Sequence, residues 1–438
     1  PREAASQPAT ARVDARRAVP RGPDNLARMP TTSPTRMTPA TVVLLLTLLL
    51  GIQPVTTDLY LPALPTLQRE LGASVAAAQL TLSALIIAFG LAQLVCGPLA
   101  DRFGRRPVLL AGMAAYTLAS TFGALAATIE ALIGWRALQG AAMAAAVTCG
   151  RSIVRDLYEP QDGARVMSRA LSGLALIAGA SPLCGGVLVQ YASWHAALGV
   201  LALFGALTLA ALAWRLDETL ARPDPRATRI APLLRNWAEV AAHPTFRAWA
   251  VLMCASYAGL FFILAGSSYV YLEVFGLSRI AFGAVLACNS AAYLAGTVAC
   301  RWLLRRHGLR GAVRRGAWLS LAGGLGMAGL GLAGVHTSWA VLLPQCLFAA
   351  GHGIHQPCGQ SAALGPFPDK AGTAASLSGF LMMLCAFGVG LLLGRTIDGT
   401  VYPMTLGVGA CSVALAATAW TLVQRDGEPR LAPAGSPP

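Results

Sequence analysis

Charge is what this sequence has least of. Only 12% of its 438 residues are charged, 55% are hydrophobic, and the mean hydropathy is +0.59. One or two water-soluble cores cannot hide that much apolar surface, so a soluble globular protein is excluded. The marks of common enzyme chemistry are also missing: there is no P-loop, HExxH, GxSxG or paired-carboxylate constellation. An enzyme is not expected, and an ion gradient rather than ATP is the expected energy source for any transport. No C-x-x-C pair occurs, so neither a zinc site nor another cofactor is expected. No basic cluster is interleaved with stacking aromatics, which argues against nucleic acid as the partner behind the formal charge of +14. Residues 1–36 lack the apolar block of a secretory signal and are rich in Arg, Pro, Ala and Thr. A disordered basic tail is expected over 1–39, with Met29 or Met37 as a native start.

What the chain does have is apolar runs of transmembrane length. Twelve helical spans are expected, at 40–62, 75–99, 108–128, 131–154, 165–190, 194–215, 246–272, 279–303, 315–335, 338–363, 372–396 and 402–424. The fold class is an all-α polytopic membrane protein with two six-helix bundles, over 40–216 and 246–424. They are joined by a polar linker, 217–245, with a short helix over Leu233 to Val240, and followed by a tail, 425–438. Placing both termini in the cytoplasm puts roughly 27 basic residues inside and about three outside, as the positive-inside rule demands. All ten cysteines fall inside expected spans, where cysteine acts as a small apolar residue, and no disulfide framework is expected.

Asp58, in "TTDLYLPALP", is the only acid well inside any span. A carboxylate in lipid costs about 2.5–3.5 kcal/mol on insertion scales, so it needs a reason to be there. Arg136 enters helix four at the matching depth, and opposite charges at one depth are expected to pair or to share a watery cavity. Asp58 is the candidate proton carrier, with Arg136 modulating its proton affinity; the blander alternative is a static ion pair locking two helices. On helix two, Gln79, Ser83, Gly90, Gln93 and Gly97 share one face, which suits either cavity lining or close packing. Helix five carries "GASPLCGG", and Gly179, Pro182, Gly185 and Gly186 are expected to make a hinge. Aromatic helix seven offers Tyr257 and Phe261 as pocket lining, whereas Tyr269 and Tyr271 fit an interfacial belt. With Gln79, Ser83, Gln93, Gln139 and Met143 these two aromatics form the candidate substrate cavity. In helix ten, His352, His355 and Cys358 stand three apart; packed neutral histidines are favoured over a proton relay or a metal site.

The loop "GPLADRFGRRPVLLAG" permits a local reading: Gly104 turns the chain, the arginines hold it at the inner face, and Asp101 pairs with them. A degraded counterpart, "RWLLRRHGLRGAVRRG", lies between helices eight and nine. Gly97 to Pro107 resembles the signature of the major facilitator superfamily. "TDLYLPALP", "RALQGAAMAAAVTCGRSIVRD", "YAGLFFILAGSSYVYLEVFGLS" and "AGTAASLSGFLMM" resemble segments of its bicyclomycin/chloramphenicol resistance (Bcr/CflA) group of drug:proton antiporters. The resemblance spans about Thr41 to Leu422. It implies that Gly97, Asp101, Arg102, Gly104, Arg105 and Arg106 form a conformational latch, and that Arg136 in "RALQG" assists proton coupling. It further implies a monomer in the bacterial inner membrane that exports small drug-like molecules against protons. In the corresponding export motif of helix five a glycine usually precedes the proline, where this chain has Ser181, and His195 stands where an arginine is commoner. Uptake by proton symport and a non-transporting sensor or scaffold are the alternatives.

Overall fold

The computed structural model describes residues 37–158 and 160–428. The expected N-terminal tail up to residue 36, the end of the chain beyond 428, and the choice between Met29 and Met37 lie outside the described residues. Among them, twelve long helices form where apolar runs were expected. They are α1 (Pro39–Asp58), α2 (Val75–Phe103), α3 (Arg105–Ala124), α4 (Ile129–Leu157), α5 (Pro160–Tyr191), α6 (Trp194–Arg215), α7 (Pro244–Tyr269), α8 (279–307), α9 (309–332), α10 (Ser338–Leu364), α11 (Ala371–Thr396) and α12 (Tyr402–Trp420). Helices α8 and α9 are the two parts of one 54-residue run, broken where Gly308 takes φ 64°. Ten described helical runs are long and apolar enough to cross a membrane, that broken pair counting once. The exception is α10, whose apolar content is diluted by two prolines, two histidines and several glutamines.

Helix starts are chemically specified. Thr38, Ser74, Thr128, Ser193, Ser278 and Thr337 each accept a hydrogen bond from the backbone N–H three residues on. These caps satisfy donors that have no partner within the helix.

The first span departs from expectation. Helix α1 stops at Asp58, and the run continues through a tight turn over Leu61–Ala63 and a short helix, Leu64–Glu70. Pro62 and Pro65 are the cause, because each removes the N–H that would bond four residues back, the first of them to Asp58 itself. The apolar span therefore reaches Glu70, and Asp58 lies well inside it.

Helices α1–α6 pack as one set and α7–α12 as another, meeting chiefly along α2 on α11 and α5 on α8. Small residues allow the approach: Gly90 and Gly390 of these helices lie against Met383 and Ser83 across the first seam. The linker carries a helix, Ile230–Ala242, longer than expected, of which only Val240 is buried.

Candidate functional site

The end of α1 aims Asp58 into a cavity of about 160 Å³, walled by Gln53, Pro54, Leu82 and Ile86 of the first set and Tyr257, Leu260 and Phe261 of the second. Its carboxylate accepts a hydrogen bond from Thr57 Oγ1 at 2.7 Å. Gln53 and Tyr257 also line a larger cavity of about 310 Å³ with Phe89, Gln93 and Arg151 from the first set and Gln356, Gln360, Ser378 and Met382 from the second. The two cavities thus adjoin between the helix sets. The larger one reaches toward the end that carries the arginine-rich loops, since Arg151 lies six residues from the end of α4 and Leu364 is the last residue of α10.

At the opposite end the sets touch. Arg69 and Glu273 form an ion pair at 3.0 Å, Arg279 donates to Thr66 Oγ1 at 2.9 Å, and Gln79 Nε2 donates to the Ala265 carbonyl at 2.7 Å. Among the described residues every hydrogen bond or ion pair joining residues 37–215 to 244–428 is at this end.

The expected pairing of Asp58 with Arg136 does not occur: no ion pair joins them. Arg136 is 1% exposed inside the first set, donating to Gln139 Oε1 at 2.6 Å and to the Thr56 carbonyl at 3.2 Å, with its guanidinium 4.1 Å from the Tyr60 ring centroid. Helical phase explains the separation. Thr56 and Asp58 are two residues apart, about 200° around the axis, so one addresses the bundle interior and the other the cavity. Equal depth did not mean equal azimuth.

Of the expected cavity residues, Gln93, Tyr257 and Phe261 line one of these cavities. Gln139 instead bridges Arg136 and Ser120, donating to Ser120 Oγ at 2.6 Å, and Met143 is fully buried in the same set. Gln79 and Ser83 belong to the contact of α2 with the second set: Gln79 through Ala265, and Ser83 against Gly390. Sequence reasoning missed Arg151, Gln53, Gln356 and Gln360. Arg151 was findable, because it stands inside the span expected at 131–154 and raises the same question of cost as Asp58.

The α2–α3 loop is a dense charge cluster. Gly104 takes φ 101°, and Arg105, 3% exposed, pairs with Asp101 at 2.7 Å and Asp156 at 3.0 Å. Glu218, from the segment after α6, accepts from the backbone N–H groups of Arg105 at 2.9 Å and Arg106 at 3.1 Å, capping α3 from 112 residues away. Arg102 donates to Thr228 Oγ1 at 2.6 Å, and Arg106 donates to the Ala213 carbonyl. Gly97 faces Thr148. The described polar contacts of this loop all stay within the first set and the linker, so it does not bind the second set here.

Helix α5 is continuous through Pro182, with Ser181 Oγ donating back to the Ile177 carbonyl at 2.7 Å. In this conformation Gly185 and Gly186 stand at close approaches of the main chain. A methyl at Gly185 would strike the Leu59 carbonyl and one at Gly186 the Arg279 carbonyl, whereas Gly179 faces open space. The expected hinge is thus a close-packed seam in this structure. In α10, His352 shares a 2.8 Å hydrogen bond with Ser256, and Cys358 lies 3.5 Å from Cys300; His355 is fully buried against Gly316 of α9.

A model of the Major Facilitator Superfamily matches residues 46–387. Multidrug resistance protein D of Escherichia coli (strain K12) is 30% identical over 345 residues, spanning 78% of this chain and 85% of that protein. A bicyclomycin resistance protein homolog of Haemophilus influenzae is 25% identical over 396 residues, spanning 88% of this chain and 96% of its own length. The solved structure of a D-xylose-proton symporter superposes with a TM-score of 0.69 at 15% identity, over 87% of this chain and 97% of that one. This last likeness speaks to the fold alone.

Proposed function

We propose, from the premise that the chain belongs to the major facilitator superfamily and within it to the bicyclomycin/chloramphenicol resistance group, that it exports small drug-like molecules in exchange for protons. The observation that carries this reading is the placement of Asp58: a lone carboxylate, on a wall shared by both helix sets, next to the larger cavity. Rocking of one set against the other would expose that cavity to each side of the membrane in turn. A carboxylate on the shared wall meets substrate and proton in the same space, so that loading one and releasing the other become linked equilibria. Arg136 acts at one remove. It holds Thr56 and Tyr60, two residues before and two after Asp58, and so positions the proton site.

In this reading both termini and the arginine-rich loops are cytoplasmic, the membrane is the bacterial inner membrane, and the working unit is a monomer. Its two bundles are 40–216 and 246–424. The α2–α3 loop, tied to α4 and the linker, braces the first bundle so that it moves as a body and serves as the latch in the opposite conformation. The test is Asp58→Asn in proteoliposomes holding an amphenicol, with a pH step across the membrane. Proton-driven drug movement is expected to vanish while counterflow of labelled against unlabelled drug persists. Undiminished proton-driven movement in that variant would sink the assignment.

A further inference from the structure

Arg151 sits on α4 inside the span expected at 131–154, is exposed, and lines the larger cavity, with no ion-pair or hydrogen-bond partner among the described residues. Among the described residues no acidic side chain lines that cavity. The other polar groups there are the amides of Gln53, Gln93, Gln356 and Gln360 and the hydroxyls of Ser361 and Ser378; Phe89, Val147, Met382 and Met383 make an apolar wall. Arg151 is thus the one charged residue lining the larger cavity, with Arg155 one turn further along α4, and Asp58 is the one charged residue lining the adjoining cavity beyond Gln53 and Tyr257.

We propose that Arg151 is the anchor for an anionic head group, so that the preferred substrates are small apolar or aromatic molecules carrying one carboxylate. This rests on the export reading above and names the substrate class for that same cavity. Exposed in the cavity with only amides and hydroxyls for polar neighbours, the guanidinium keeps its charge uncompensated by any acid lining that cavity, and an entering anion would compensate it. A carboxylate accepts two parallel N–H groups from a guanidinium, which an amide or hydroxyl cannot match. Repulsion from Asp58 sets the polarity of binding: head group on Arg151, at the end that carries the arginine-rich loops, and apolar frame against Phe89, Met382 and Met383. A volume of about 310 Å³ suits a molecule of one or two rings.

The test is equilibrium binding to detergent-purified full-length protein, with no proton gradient, so that its outcome does not depend on coupling. The probes are matched pairs on three frames: 4-phenylbutyrate with 4-phenylbutyramide, 2-naphthoate with 2-naphthamide, and indole-3-acetate with indole-3-acetamide. The intact protein is expected to favour the acid of at least one pair by about tenfold or more, the size of one charge-assisted hydrogen bond. Arg151→Gln is expected to erase that preference while its amide affinity stays within about twofold, which also shows that the variant is folded. Arg151→Lys, which keeps the charge but not the fork, is expected to retain part of it. Equal binding of acid and amide in every pair, no binding of any acid, or an undiminished preference in Arg151→Gln would each overturn the proposal. None of these results bears on Asp58, whose own test is the loss of proton-driven movement.

Discussion

The two turns that pseudo-symmetry places in equivalent positions, between α2 and α3 and between α8 and α9, differ in how they are held. Each pivots on a glycine with positive φ, 101° at Gly104 and 64° at Gly308. Around Gly104, three acids converge: Asp101 and Asp156 on the Arg105 side chain, and Glu218 on the first two N–H groups of α3. The segment around Gly308 holds Arg301, Arg305, Arg306, Arg310, Arg314 and Arg315 without one acid between residues 279 and 332. Its nearest ion pair reaches across to Glu428. A basic turn is enough to orient a helix pair in the membrane; acids from other elements are needed to make that turn rigid.

The comparison can be broken most severely at Arg105. Arg105→Ala removes the buried partner of half-exposed Asp101 and of Asp156 and is expected to cost about 2–3 kcal/mol, seen as a lower thermal midpoint of the detergent-purified protein. Arg305→Ala, at an exposed arginine of the second turn, is expected to change stability by less than about 0.5 kcal/mol. Next come the pivots. Both Gly104→Ala and Gly308→Ala strain the backbone, by about 1–3 kcal/mol, but a methyl at Gly104 also meets the Glu218 carboxylate while Gly308 faces open space. The excess cost at Gly104 is expected to disappear in a Glu218→Ala background, a coupling that a double-mutant cycle measures directly. Glu218→Ala alone is expected to cost about 1–2 kcal/mol through loss of the α3 cap.

The smallest effect belongs to the linker helix, where Glu239 pairs with the chain's single lysine, Lys370, and with Arg235 at 3.0 Å. The Lys370 ammonium and then the Arg235 guanidinium hold the Glu239 carboxyl below its ordinary range. A lowered carboxyl contributes above its unfolded value and loses that contribution as pH falls through the folded one. Lys370→Ala is therefore expected to flatten a slight acid sensitivity below about pH 4.5 and to leave stability at neutral pH almost unchanged, as thermal melts across a pH series would read.

What could be read without coordinates was whatever is local or one-dimensional. Apolar runs located the helices, and the absence of other acids singled out Asp58. Depth along a helix could be counted, but azimuth relative to a neighbour could not, which is why Arg136 appeared to face Asp58 when it faces Tyr60 and Thr56. Glu218 was illegible for a related reason: a cap supplied from 112 residues away leaves no spacing to recognise. Glycine is ambiguous in itself, since a residue without Cβ serves bending and close approach equally. At Gly185 and Gly186 only the carbonyls on the facing chains tell which. Arg151 differs from these cases. It was visible, and passed over because it stood near the end of a span where arginines are common.

Where α5 meets α8, the joint is made by main chain lying on main chain, with Gly186 under Arg279 and Gly283 against Pro182. At these two points no side chain stands between the helices, so the backbones part there without a rotamer change. Any larger residue would act as a wedge, holding ajar the side of the molecule that is shut in this conformation. Selection at such a joint falls on what must be kept out, and its tolerance for drift should be far below that of the leucines a few ångströms away.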